Sequence, residues 1–144
     1  QYQFIVSLFE TNRVFPIRGD LTAQKTVKDV AKKTRQVGLT IRTLYLSNAE
    51  QYFKYTPEYK ENMLSLPFDD ETVVIRTAGT KKSWTADGVY DYVVQSGSNF
   101  RAWLQYKKCF NVWTLVYERK VNKKTGGSVI ESLPPEPDGN NETN

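Results

Sequence analysis

The chain has 144 residues, 39% of them hydrophobic and 25% charged, with a net charge of +4. This describes one domain with a real apolar core, and no run approaches the ~20 apolar residues needed to cross a bilayer. With no His and one Cys, the chain excludes His-based triads, His metal ligands, an intrachain disulfide and multi-thiolate zinc, so no metal is expected.

The first predicted element is a helix, because Tyr2, Phe4, Ile5, Leu8 and Phe9 recur at helical spacing. Asn12-Arg13 ends it. Residues 14–17 form a short apolar run before Arg18-Gly19-Asp20 and predict a strand followed by a turn. Pro16 has no N–H to give a ladder, which favours a sheet edge. Thr22 or Thr26 is positioned to cap a second helix. Val27, Val30, Ala31, Thr34 and Val37 make its apolar stripe, and the Lys residues largely face the other way. That Lys-rich run reads as a solvated helix face. Gly38 is its C-terminal stop.

Residues 39–46 (LTIRTLYL) read as a strand ended by Ser47-Asn48, and Ala49 begins a further helical turn. Residues 55–66 predict a helix with Tyr59, Met63 and Leu66 on one side, closed by Pro67. Residues 72–76 (TVVIR) and 89–94 predict strands, separated by a polar loop carrying Trp84. Gln95 to Asn99 reads as a turn. Residues 100–104 predict a short helix, and residues 112–119 (VWTLVYER) a last strong strand. From residue 123 the sequence reads as a turn, a weak strand and a disordered tail. Cys109 reads as a buried structural thiol, since no His is present to activate it.

This order predicts an α/β fold. Its sheet is parallel, with helices on the faces, and ends in a C-terminal antiparallel strand pair. The layout is that of the back half of a Rossmann-like domain of the class I methyltransferase type, over residues 1–122.

Particular motifs sharpen that expectation. Asn12, Pro16 and Gly19-Asp20 are followed by Tyr45-Leu46-Ser47-Asn48-Ala49-Glu50-Gln51-Tyr52 and then by LPFDDETVVIRT at residues 66–77. Together they resemble an uncharacterised bacterial methyltransferase-like family of spirochaetes, myxobacteria and their relatives, marked by a GD strand end and a Y-[LV]-SN-x-EQY motif. The resemblance covers about residues 4 to 104. It implies a preceding region with a Gly-rich turn and an acidic strand end, neither of which this chain contains. S-adenosyl-L-methionine is therefore expected to bind only together with that missing N-terminal half or with a partner chain supplying it.

The resemblance also places a candidate site beyond the carboxyl ends of adjacent strands. Gly19 and Asp20 fall where the cofactor's adenine is met. Asn48 and Glu50 are the candidate catalytic groups, Glu50 as a general base, and Ser47 and Tyr52 the candidate substrate contacts. Capping explains Asp20 and Ser47-Asn48 equally well.

The expected function is the C-terminal part of an S-adenosylmethionine-dependent methyltransferase-like protein, substrate unknown, inactive as this chain alone. The alternative is a non-catalytic, exported binding protein on the same scaffold, with Trp84, Tyr90, Tyr92, Trp103, Tyr106 and Trp113 as its surface. Relatives of the resembled family follow signal or lipoprotein leaders, so the location is either cytoplasmic or the bacterial envelope. The basic charge is modest and dispersed, so nucleic acid is not an expected partner.

Overall fold

A computed structural model of the chain describes residues 1–79, 90–122, 124 and 127–136. Trp84 and the tail beyond residue 136 lie outside these residues. Helix α1 (Tyr2–Glu10) forms as its spacing predicts. Asn12 takes the left-handed conformation at φ 52 and closes the helix, with Arg13 N–H donating to the Leu8 carbonyl and Asn12 N–H to that of Phe9. Helix α2 (Thr26–Gln36) ends in the same motif. There Gly38 sits at φ 70, with Leu39 N–H on Thr34 and Gly38 N–H on Arg35. Neither Thr22 nor Thr26 caps α2, whose N-cap position is Lys25.

Strand β1 (Thr43–Ser47) carries a bulge between Tyr45 and Ser47, and Ser47 has a positive φ of 50. The chain therefore bends sharply into a 3-10 turn, Ala49–Tyr52. Helix α3 (Pro57–Ser65) begins with Pro at its first position and with Thr56 accepting from the Tyr59 N–H. Strands β2 (Val73–Ala78) and β3 (Asp91–Ser96) follow, then helix α4 (Gly97–Gln105), capped by Ser96.

Residues 112–119 correct the expected strand. Helix α5 (Val112–Val116) and the turn after it occupy them, with the Asn111 side chain accepting from the N–H groups of Trp113 and Thr114. A short apolar run fits either period. Burial of Val112, Leu115 and Val116, at helical spacing, decides for the helix. Strands β4 (Lys120–Asn122) and β5 (Gly127–Ile130) complete the sheet.

The fold is α/β, with one five-stranded mixed sheet in the order β1-β2-β3-β5-β4. The β1/β2 and β3/β5 pairs are parallel, and β2/β3 and β5/β4 antiparallel. The direction thus reverses in the middle of the sheet and again at its edge, rather than in one terminal pair. Residues 14–17 form no strand. Pro16 removes a donor, and β1 is left as the sheet edge.

Helices α3, α4 and α5 cover one sheet face. Val74, Val93 and Ile130 meet Tyr59, Met63, Phe100, Leu104, Leu115 and Cys109 in a single core. The other face is open among the described residues: β3 alternates strictly between buried and exposed, with Tyr92 51% and Val94 37% exposed. Helices on both faces were expected, and the described helices cover only one.

Losing a cap bond typically costs about 1 kcal/mol. Asn111→Ala is expected to lower the urea midpoint by a destabilisation of that size. A neutral result would argue against α5 and for the strand.

Candidate functional site

Because β1 and β2 are parallel, their carboxyl ends share one edge of the sheet, and the antiparallel β3 begins there. Beyond that edge an open α/β sheet ordinarily binds its ligand. The bulge and the left-handed Ser47 direct the 3-10 turn across it. Asn48 donates from Nδ2 to the Tyr90 hydroxyl at 3.2 Å and, at the long limit, to the Tyr52 hydroxyl at 3.4 Å. Gln51 clasps the end of β2 from both sides. Its Nε2 donates to the Thr77 carbonyl at 3.2 Å, and its Oε1 accepts from the Gly79 N–H at 3.3 Å. Tyr52 is 77% exposed.

Glu50 behaves differently from its neighbours. It is buried, with its carboxylate turned into the core. Oε2 accepts from Arg76 Nε at 2.6 Å, and Oε1 accepts from Tyr59 Oη at 2.8 Å and from Tyr55 Oη. The expectation of Glu50 as a base facing a ligand is therefore replaced: its lone pairs are committed to a guanidinium and two phenols inside the protein. Arg76 continues the chain, donating from Nη1 to Gln95 Oε1 at 2.8 Å, and Gln95 donates to Asn99 at 2.6 Å. Asn99 ends the chain on the carbonyls of Glu131 and Ser132. The Arg76 guanidinium also lies 5.0 Å over the Phe100 ring.

Burial alone would lower the Arg76 pKa, but the Glu50 carboxylate reverses this and holds the guanidinium above its usual value. Tyr55 and Tyr59 are pushed well up, first by burial and then by the same carboxylate. Asp91, the other acid at this sheet end among the described residues, is also buried and accepts from Arg119 at 3.1 and 3.3 Å.

Gly19 and Asp20 do not join the corner. Asp20 accepts from both the N–H and the hydroxyl of Thr22 at 2.7 Å, a local turn that holds its carboxyl below the usual range. A Cβ on Gly19 would come within 2.3 Å of the Thr26 methyl, so the glycine makes room for a neighbouring side chain. Both residues line a groove of about 240 Å³ with Ile17, Val27, Leu44 and Met63. Neither Asn48 nor Tyr52 lines it. Asn62 anchors the segment by donating to the carbonyls of Leu21 and Ala23.

Of the six rings expected to form a recognition surface, Trp103 is core and Tyr106 and Trp113 pack against the core. Tyr92 is exposed and Tyr90 belongs to the corner. Sequence reading missed Arg76 and Gln95. The available signal was a charged or amide group at an inward position of an apolar strand.

Residues 1–131 match the family profile described as Domain of unknown function (DUF7790). The chain belongs to that family. The profile spans every described element from α1 to β5 and includes the whole corner. No curated protein matches the chain.

In this DUF7790 chain, removing one partner of a buried ion pair typically costs about 3–5 kcal/mol. Glu50→Gln and Arg76→Met are each expected to destabilise by that order in urea unfolding, with the double variant losing less than the two together. Additive losses would show that the pair is not coupled.

Burial raises the Cys109 thiol from 9.0 to about 11. Its native form stays protonated while the unfolded thiol ionises, so this stability is whole below about pH 9 and is lost as pH rises towards 11. The expected slope approaches about 1.4 kcal/mol per pH unit, and Cys109→Ala should flatten it. Tyr55 and Tyr59 pull the same way at higher pH and remain in that variant. An unchanged slope would contradict this assignment.

Proposed function

We propose that this chain is the substrate-side part of a methyltransferase-like protein, and that alone it binds a planar polar ligand without transferring a methyl group. The observation that carries this reading is the chemistry left at the carboxyl ends of β1 and β2. Among the described residues the acids at that edge, Glu50 and Asp91, are buried and ion-paired. The groups turned to the corner are the amides of Asn48 and Gln51 and the phenols of Tyr52 and Tyr90.

Amides and phenols hold and orient a ring by hydrogen bonds and stacking. They are poor acids and bases near neutral pH. Methyl transfer asks mainly for proximity and alignment, which such a set supplies. A Rossmann-like origin of the sheet accords with the parallel β1/β2 pair and with a ligand edge at its carboxyl end. S-adenosylmethionine in turn requires a Gly-rich turn, and no Gly-x-Gly occurs in this sequence. The roles that fall to this corner are thus Asn48 as an orienting amide, Tyr52 as a stacking face and Ser47 as the backbone bend that aims them.

The same corner serves the alternative reading, a non-catalytic and exported binding protein. The two readings differ in whether a cofactor-bearing region joins this chain.

Calorimetry of this chain with S-adenosylmethionine is expected to give no binding heat. Planar hydrogen-bonding rings such as nucleobases and benzamide are expected to shift the side-chain amide NMR signals of Asn48 and Gln51. Asn48→Ala should weaken that binding by about fivefold, one hydrogen bond's worth. Tight binding of S-adenosylmethionine by this chain, or shifts that avoid both amides, would overturn the proposal.

A further inference from the structure

A cavity of about 700 Å³ lies apart from the corner, between the last turn of α4 and the segment that follows β5. It opens on the outer side of α4, whose Phe100, Trp103 and Leu104 face the core. A groove of about 300 Å³ continues it towards the start of the helix, since Ala102 and Gln105 line both. Asn48, Gln51 and Tyr52 line neither.

The walls of this trough are held by buried groups. Asn99 donates to the carbonyls of Glu131 and Ser132, and Trp103 Nε1 donates to that of Ser132 at 2.9 Å. Both donors are buried, so the chain leaves Ser132 from a fixed point. Pro134-Pro135 then stiffens it along the cavity. On the helix side the Tyr106 ring meets Trp103 edge-on at 5.9 Å, and Lys60 donates to the Tyr106 carbonyl at 3.1 Å. A trough set in this way is preorganised for a ligand.

Its two ends carry opposite charge. The turn with Asp69 and Asp70 packs on the start of α4, where Gly97 N–H donates to the Thr72 carbonyl at 2.8 Å. Asp69 pairs with Arg42, whereas Asp70 is exposed and has no ion-pair partner among the described residues. Arg101 is turned to α3, donating to the Leu64 carbonyl at 2.8 Å. At the far end Lys107 and Lys108 outnumber Glu136. Between the ends, Ala102 is small enough to let a backbone approach the helix. Gln105 offers an exposed amide with both donor and acceptor.

We propose that this trough is a second binding site, for a short extended peptide with free ends, its ammonium at Asp70 and its carboxylate at Lys107 and Lys108. Complementary charge at both ends fixes the direction in which it lies. The length agrees. Ser98 to Gln105 is about 10 Å of helix at ~1.5 Å per residue, and with the charged groups beyond it this takes about four residues of extended chain at ~3.3 Å each. A single amino acid is too short to meet both ends. A peptide backbone also brings the N–H and C=O groups that Gln105 pairs with, which an aliphatic chain with the same end charges lacks.

Tetra-alanine titrated into the full chain is expected to shift the side-chain amide NMR signals of Gln105 and to leave those of Asn48 and Gln51 in place. Its N-acetylated and C-amidated forms should each bind about fivefold more weakly, one surface ion pair's worth. Asp70→Asn should erase the preference for the free amino end alone. Lys107→Gln with Lys108→Gln should erase that for the free carboxyl end alone. All three side chains are exposed, so circular dichroism should stay native. No shift at Gln105, blocked peptides that bind as well as the free one, or preferences that survive these substitutions would each overturn the site.

Discussion

The buried pair of Glu50 and Arg76 is the constraint on which the rest of this fold depends. Taking both charges out of water is costly, and only close, fully hydrogen-bonded geometry recovers that cost. The structure supplies most of it through five segments, with Arg76 Nη2 left buried and without a hydrogen-bond partner among the described residues. Glu50 comes from the 3-10 turn, Tyr55 and Tyr59 from α3 and the stretch before it, Arg76 from β2, Gln95 from β3 and Asn99 from α4. Apolar burial is non-directional and would accept several arrangements of these segments. The ion pair does not. Sliding β2 by one residue would turn Arg76 to the open face and strand the Glu50 carboxylate in the core. The pair therefore sets the register of the central strands as well as their contact.

Much of the helical content was legible because period and punctuation agreed. In α2 the stripe of Val27, Ala31 and Thr34 and the stop at Gly38 point the same way, and Asn12 does the same for α1. The stretch 112–119 was misread because β-branched and aromatic residues fit a strand locally. Asn111, a cap that declares itself only once the helix exists, was the overlooked sign. Strand direction was illegible beyond the alternating first part: nothing local to residues 91–96 states that β3 runs against β2 and with β5.

The placement of Asn48 and Tyr52 at the sheet edge was legible, and the burial of Glu50 was not. Asn48, Gln51 and Tyr52 do reach the carboxyl edge, because a strand end followed by a short helical turn must project there. Glu50 sits in the same tetrapeptide and points the other way, since successive residues of a tight turn face different directions. Its fate rested on an arginine 26 positions later. Asp20 shows the reverse. Two residues on, Thr22 satisfies it locally, and the groove beside it opens towards α2 and α3 rather than the corner.

The bulge in β1 has a consequence outside the site it aims. β1 is the edge of the sheet, and an edge strand offers unpaired N–H and C=O groups to any other strand that comes alongside. A long flat edge would invite open-ended stacking of copies into fibres. Here the edge is five residues long, broken between Tyr45 and Ser47 and bent away at once by the left-handed Ser47. The bend that orients Asn48 therefore also leaves too little straight backbone for a ladder to extend, and keeps a chain with an exposed sheet edge from polymerising through it.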